Sequence, residues 1–460
     1  MSFSPTLAER RFGFGLSPQI PAPQSVEAML RGVAGVDQML ADHPLPSFRD
    51  LQDKLVLRRR FRGFARKNPD TDEGKAADKK QQEIYRTARD DWTRGFVQIQ
   101  ARRIQTPHAF RERLVAFWAD HFTAVGKGGM LRFAGAAYVD EAVRPHINGR
   151  FADLLRACVI HPLMLEYLDQ NRSAGPGSII VRRRPRWQGL NENLAREVLE
   201  LHTLGVDGPY SQADVRELAE LFTGMSRADD YGFVFRRNLA EPGAETVLGK
   251  TYGQGASLQH IETALDDLAR HPATAAHIAR KLAVHFVGDV PSEDLIAHVT
   301  TVFAQSDGDL VQCYTALLEH PDAWGTPAQN IRPPQEFISA ALRAFGSPQQ
   351  AFSQMQPRDI GKVFHGPLRV MGQPWENPAG PDGWAEDDAA WVTPQGIAAR
   401  LEWAVYAPSK FLDALPDPVE FAQAALGDGV TADLLFAVNA AETREVALGL
   451  VLVSPAFQRR

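Results

Sequence analysis

The chain has 460 residues, of which 44% are apolar and 23% charged, with a formal net charge of −6 at pH 7. This is an ordinary globular composition, long enough to bury a sizeable core. Charges of both signs are intermixed, so the sequence indicates neither a nucleic-acid-binding protein nor an acidic tail. The best apolar run, Val446 to Val453, is far below the roughly 20 residues of a membrane span, so none is predicted. The two cysteines, Cys158 and Cys313, exclude a cysteine-built zinc site and leave one disulfide open.

The predicted elements begin with a charged helical arm over residues 51–105. Most of it, from Glu73 to Ile104, holds many helix formers and few breakers, which favours a long exposed helix. Residues 106–225 are predicted to form a motif-bearing helical core. Its first helix runs from Pro107 to Ala124 and carries His121 near its end.

The stretch from Asn191 to Met225 is the most informative part of the chain. A helix beginning near Asn191 places Asn193, Arg196 and Glu197 on a polar arc, and His202 falls instead on a second apolar face. The next helix is predicted to begin at Ser211, with Asp214 completing a capping box. The alternative is an ordinary packed helical hairpin whose carboxylates are solvated or paired with arginine.

Residues 226–255 are predicted to be a hairpin insertion, because the sequence FVF, a Pro242-Gly243 turn and ETVLGK follow one another there. Residues 256–460 return to helix and include a Gly/Pro/Trp-rich loop over residues 371–393. That loop is predicted to supply Gln373 and Trp384 to a pocket wall, or else to seal the core with its tryptophans. The fold class is therefore mainly α, a multi-helix globular fold with one small β-hairpin, in a single domain spanning 1–460.

Common catalytic motifs are incomplete in this chain. Gly249-Lys250-Thr251 lacks the correctly spaced upstream glycine of a phosphate-binding loop, and neither GxSxG nor HExxH occurs. The sequence therefore names no reaction and leaves open whether the protein is an enzyme.

Four segments together carry a family resemblance: FWADHFT at Phe117 to Thr123, the NENLARE helix with its partner, HPATAAHIARKL at His271 to Leu282, and MGQPWENPAGPDGW at Met371 to Trp384. With these segments the chain resembles the bacterial DUF1800 family, whose function is unknown, from Arg11 to the final SPAFQRR. The chain departs from many relatives at two places. Ala240 and Glu241 stand where those relatives have a His-Asp pair, and His202 stands where they have Phe.

A buried polar site is predicted where His121 and the NENLARE helix meet under the loop over residues 371–393, which we call the Trp384 loop. Glu197 is assigned as base or ligand, His121 as ligand or acid/base, Arg196 as a clamp for an oxyanion, and Asn191 and Asn193 as positioning donors. If His121 and Glu197 converge, they could ligate a divalent metal. The alternative is that each histidine is a satisfied core residue.

The resemblance also implies a partner. Members often occur beside the DUF1501 family, which resembles alkaline phosphatases and often carries a twin-arginine export signal. A rival hypothesis is thus an accessory or escort protein that binds such a partner and has no catalysis of its own. The chain shows no export signal of its own, because glycines and prolines follow Arg10-Arg11, so a cytoplasmic location is expected, or a periplasmic one by co-export.

Overall fold

The computed structural model describes residues 3–184, 189–228, 230–253, 255–325, 330–346 and 354–460. Most of these residues are helical, which confirms the predicted fold class. The α-helices of eight or more residues are Val26–Ala34, Phe48–Lys67, Asp72–Gln105, Ala109–His121, Phe151–Val159, Gln212–Leu221, Leu258–Arg270, Pro272–Phe286, Glu293–Gln305, Leu310–Glu319, Pro334–Ala344, Pro394–Phe411, Pro418–Leu426, Ala432–Asn439 and Arg444–Val453.

Shorter helical segments connect these helices. The α-helical ones are Pro5–Leu7, Gln38–Asp42, Gly135–Tyr138, Pro162–Tyr167, Ile179–Arg183, Asn193–Glu197, Asp322–Gly325, Pro357–Ile360, Gly366–Val370 and Pro455–Gln458. Four π-helical segments are Ala8–Phe12, Val139–Val143, Val198–Thr203 and Gly361–His365, and the 3-10 segments are Leu131–Phe133, Arg144–His146, Gln170–Arg172, Asp388–Trp391 and Gly427–Gly429.

The predicted charged arm belongs to two consecutive helices, Phe48–Lys67 and Asp72–Gln105. We call this pair the helical hairpin. Ser47 and Asp50 cap the first helix reciprocally, and Thr71 accepts the Gly74 N–H at the start of the second. These caps satisfy backbone donors that the helix starts would otherwise leave unpaired. The predicted capping box of Ser211 and Asp214 is likewise present at the start of Gln212–Leu221.

The β-structure consists of two separate antiparallel pairs among the described residues. Met225–Arg227 pairs with Phe233–Phe235, and Glu245–Val247 pairs with Lys250–Tyr252. The prediction of a hairpin turning at Pro242-Gly243 was therefore wrong in its pairing. The second pair instead turns at Leu248 and Gly249, both with positive φ (49° and 77°), as a two-residue hairpin loop requires.

Two hydrophobic cores lie side by side. The first gathers buried side chains from Ala8 to Trp324, and the second gathers those of Phe337 to Phe457. The long helix Asp72–Gln105 belongs to both, because Ile84 packs in the first core and Phe96 in the second. The candidate site lies where these two cores meet.

Two smaller expectations are settled by the fold. Cys158 and Cys313 are both buried and free, so they form no disulfide. Across the described ranges, no helix is both long enough and apolar enough to cross a membrane.

Candidate functional site

One face of the helix Ala109–His121 borders a cavity of about 190 Å³. With 3.6 residues per turn, residues four apart share a face, so Glu112, Ala116 and Asp120 all line the cavity. His121, one residue further along, is turned toward the first core, where it is buried. The helix thus separates two polar neighbours in sequence onto two different faces.

The remaining walls come from distant parts of the chain. The helical hairpin, the turn after Ala109–His121, the start of Pro334–Ala344 and the Trp384 loop all contribute. The polar and aromatic lining includes Arg102, Arg103, Tyr138, Asp140, Arg144, His285, Glu336, Gln373, Trp375, Glu376, Trp384, Glu386 and Arg460.

Asp120 is held against the Trp384 loop. Its Oδ1 accepts the backbone N–H of Trp384 at 2.9 Å. Desolvation raises the pKa of Asp120 to about 7, and the nearby carboxylates of Glu386 and Asp382 push it in the same direction. At neutral pH this carboxyl group can therefore both give and take a proton.

Glu376 presents a second such carboxyl group to the cavity. Its Oε2 accepts the Trp92 Nε1–H at 2.7 Å, and its carboxyl packs so closely on Gly135 that a Cβ there would lie 2.7 Å from Cδ. Desolvation raises the pKa of Glu376 to about 7. Its φ of 48° lies in the left-handed region, an unusual backbone conformation for Glu and one that clusters at functional sites.

A buried ion-pair network forms another wall. Glu336 pairs with Arg113 and lies 3.4 Å from the Nε of Arg460. The His285 Nδ1 donates to Glu386 at 2.7 Å. Its Nε2 lies 2.9 Å from an Arg113 nitrogen. Because a guanidinium can only donate, that Nε2 must accept, which makes His285 a neutral imidazole protonated at Nδ1.

Two predicted ligand-binding residues lie in this cavity wall. Gln373 is buried and its Oε1 accepts the Gln335 N–H at 2.8 Å, which leaves its amide N–H₂ as a donor on the cavity side. Trp384 lines the cavity next to Asp120. The loop over residues 371–393 therefore forms part of a pocket wall.

His121 lies behind the cavity, close to two other histidines. Its Nε2 donates to the backbone carbonyl of His202 at 3.2 Å, and its ring centroid is 5.9 Å from that of His202 and 6.3 Å from that of His277. Burial holds the pKa of His121 well below its usual range, and Lys281 adds to this effect. His121 is thus neutral, with its Nδ1 unbonded among the described residues.

The NENLARE residues lie outside the cavity lining. Asn191 accepts the Asn193 N–H at 2.8 Å and so starts the helix, while Asn193 itself is exposed. Arg196 is engaged by Glu192, Glu200 and Gln212 at 2.9–3.2 Å. Its predicted role as an oxyanion clamp remains a prediction, although these partners already occupy its guanidinium.

Glu197 is half-buried on the same helix. Burial raises its pKa, and the carboxylates of Glu200 and Asp382 raise it further. Asp382 belongs to the Trp384 loop, so its effect on Glu197 places Glu197 within Coulombic range of that loop. Glu197 does not line the cavity. Asp382 also raises the pKa of Asp120. Its predicted role as base or ligand stays a prediction.

The residues that the structure describes contain no group of three or more His, Cys, Asp or Glu side chains arranged to hold a metal ion. Neither His121 nor Glu197 therefore belongs to such a group in this part of the chain.

Sequence reasoning missed the carboxyl groups that line the cavity. Asp120 stands beside His121 in FWADHFT, and Glu376 lies inside MGQPWENPAGPDGW. Both motifs also carry the family resemblance, so the sequence places these two carboxyl groups in segments of interest. The face of a helix and the burial of a loop carboxylate depend on tertiary contacts, which the motifs alone do not give.

Comparison with known proteins identifies the family of this chain. A profile described as "Protein of unknown function (DUF1800)" matches residues 8–459, nearly the whole chain. The protein therefore belongs to the DUF1800 family, as the sequence motifs indicated. No curated protein and no solved structure matches it.

Proposed function

We propose that this protein binds a small polar molecule in the cavity between its two cores and moves a proton on it, with Asp120 and Glu376 as the acid and base. The observation that carries the proposal is that two carboxyl groups, both with pKa values of about 7, line one cavity. Perturbed titratable groups that share a concave site are the usual mark of acid–base chemistry.

The wall chemistry supports a bound organic molecule. Gln373 offers an amide donor, and the tryptophan rings of Trp375 and Trp384 offer apolar surface. The cavity volume of about 190 Å³ is large enough for more than a single water. The carboxylates of Glu386 and Asp382, both in the loop over residues 371–393, raise the pKa of Asp120 and so help to keep it protonated near neutral pH.

The test is a search for substrate with matched variants. Purified protein is incubated with a bacterial small-molecule extract, and binding and conversion are followed by liquid chromatography and mass spectrometry. Asp120→Asn and Glu376→Gln should keep binding but lower conversion by about 10²-fold or more, as expected for removing a general acid or base. Glu442→Gln, an exposed residue, serves as the charge-matched control.

Conversion at the wild-type rate in both cavity variants would rule out proton transfer by these groups. A wild-type protein that neither retains nor converts any compound would contradict the proposal as a whole.

A second candidate function is binding of the alkaline-phosphatase-like partner. The observation in its favour is the apolar surface of the helical hairpin, where Phe64 and Leu57 are 46% and 41% exposed beside the exposed Arg60 and Lys67. Co-purification with the partner should then be lost in Phe64→Ser and kept in Val290→Ser, whose side chain is 94% exposed elsewhere. Capture of equal amounts of partner by both variants would argue against this surface, and cell fractionation with and without the partner tests co-export.

A further inference from the structure

Nearly every charged group around the cavity has a partner of opposite sign. Arg102 is paired with Asp140 at 2.7 Å, and Arg144 bonds both Asp37 and Glu112. In such pairs the attraction compensates the loss of hydration that each buried charge suffers.

The network on the opposite wall is balanced in the same way. Arg113 and Arg460 supply two positive charges, and Glu336 and Glu386 supply two negative ones. His285 adds no charge, since its Nε2 accepts from a guanidinium.

Among the described arginines that line the cavity, Arg103 is the exception. It lines the cavity, and its guanidinium lies over the ring of Phe14 at 5.2 Å, but it forms no hydrogen bond or ion pair with any described residue. Glu336 and Glu112 act on it only at longer range, and burial lowers the pKa of Arg103 to about 10. A guanidinium is a planar fork of five donors, and in Arg103 these donors have no acceptor among the described residues.

The carboxyl groups left without a cation do not neutralise it. Asp120 and Glu376 each accept an N–H, from Trp384 and Trp92, and form no ion pair with the described residues. Since their pKa values are about 7, they are largely protonated in mildly acidic solution. Under those conditions neither carboxyl group supplies a full negative charge to compensate that of Arg103.

We propose that the ligand of this cavity carries an oxyanion, a carboxylate or a phosphate, that Arg103 binds through its guanidinium. The inference rests on the proposed function, because it names the chemical class of the molecule held there. The oxyanion would supply the acceptors that Arg103 lacks, in a geometry that suits bidentate pairing. The rest of the ligand would then lie toward the carboxyl groups of Asp120 and Glu376.

The experiment measures oxyanion binding directly, with inorganic phosphate and acetate as probes. The midpoint of thermal unfolding is recorded against probe concentration at pH 6.5 and constant ionic strength, with chloride as the balancing salt. A bound ligand stabilises the folded state in a saturable manner, whereas the general effect of phosphate as a salt does not saturate. Wild type should show a saturable rise of several degrees with at least one probe.

Three variants locate the site. Arg103→Gln should weaken the apparent affinity by about tenfold or more, as expected for loss of a charge-assisted hydrogen bond. Arg103→Lys should retain part of it. Arg62→Gln, which removes an exposed arginine from the helical hairpin, should behave as wild type.

Phenylglyoxal modification of wild-type protein covers the case in which Arg103→Gln does not fold. Peptide mapping should show Arg103 modified, and saturating probe should slow that modification. A stronger response to phosphate indicates a phosphorylated ligand, and a stronger response to acetate indicates a carboxylic acid.

The inference is overturned if wild type shows no saturable response to either probe, or if Arg103→Gln responds as wild type does. Its failure can be told apart from that of the proposed function. Asp120→Asn and Glu376→Gln should lower conversion yet leave phosphate or acetate binding in place. Saturable binding by a wild-type protein that converts no compound would support the oxyanion site alone.

Discussion

His121, His202 and His277 come from three helical segments and share one apolar pocket behind the cavity. His202 is fully buried, and neither ring nitrogen has a hydrogen-bond partner among the described residues. Burial lowers its pKa to about 3, and that of His277 to about 4, with Lys281 adding to both shifts. These histidines must therefore stay neutral in the folded state.

The depressed pKa of His202 predicts acid sensitivity. Its unfolded-state pKa is 6.5 and its folded-state pKa is about 3, so the unfolded chain binds a proton more readily. The contribution of neutral His202 to the free energy of unfolding is fully present above pH 6.5. It falls as the pH drops from 6.5 toward 3, by up to about 1.4 kcal/mol for each pH unit. His202→Phe should reduce the loss of unfolding free energy between pH 7 and pH 5 by roughly 2 kcal/mol.

Urea unfolding of both proteins at pH 7 and pH 5 measures this difference. His298→Phe, at an exposed histidine of Glu293–Gln305, is the matched control and should follow wild type. Parallel pH profiles for wild type and His202→Phe would show that this ring does not titrate on unfolding.

At the scale of elements, the Trp384 loop is fixed to the helix Ala109–His121 by a close approach. Gly383 has a φ of 80°, and a Cβ there would lie 2.7 Å from the Asp120 Oδ1 and 2.8 Å from its backbone oxygen. Gly372, in the same loop, has a φ of 96° with nothing within 4 Å of a Cβ. Substitutions at the two glycines therefore distinguish two effects. Alanine at Gly372 introduces only backbone strain, whereas alanine at Gly383 also disturbs the contact with Asp120.

Gly372→Ala should lower the free energy of unfolding by about 1 kcal/mol, the cost of placing Ala in the left-handed region. Gly383→Ala should cost about 2–3 kcal/mol more, since it also forces the loop away from Asp120 and opens the cavity. Chemical denaturation measures both values. Equal losses in the two variants would mean that the loop does not depend on its contact with Asp120.

The elements were predictable where local chemistry decides them. The capping box of Ser211 and Asp214 appears in the sequence and in the structure alike. Within the predicted helical core, the helix Phe151–Val159 ends before Pro162 and a new one begins there, because proline lacks the N–H that a helix interior needs. The strand pairing was predicted wrongly because Pro242-Gly243 is a common turn sequence, whereas the chain turns at Leu248-Gly249.

The candidate site was less predictable than the elements. Gln373 and Trp384 were assigned to a pocket wall from the length of their loop, and they line the cavity. Burial raises the pKa values of both Asp120 and Glu376, and for Asp120 the carboxylate of Glu386, which is far away from it in sequence, adds to the shift. Long-range contacts of that kind leave no periodic pattern for sequence reasoning to detect.

At the scale of the whole molecule, the two cores are joined at several places. The helix Asp72–Gln105 packs in both, and Glu336 joins Arg113 of the first half to Arg460 at the edge of the second. Glu336 and both arginines are buried. The junction that encloses the cavity is therefore held in part by charges that cannot be hydrated if one of them is removed.

Glu336→Gln should weaken the junction more than either core. The substitution leaves two buried guanidinium groups with one fewer negative partner, which should cost about 3 kcal/mol or more. Hydrogen exchange followed by mass spectrometry in increasing urea should show Pro334–Ala344 and Arg444–Val453 losing protection before Ala109–His121. In wild type and in the exposed Glu442→Gln control, these segments should lose protection together. Simultaneous loss in Glu336→Gln as well would show that the coupling of the two cores does not depend on Glu336.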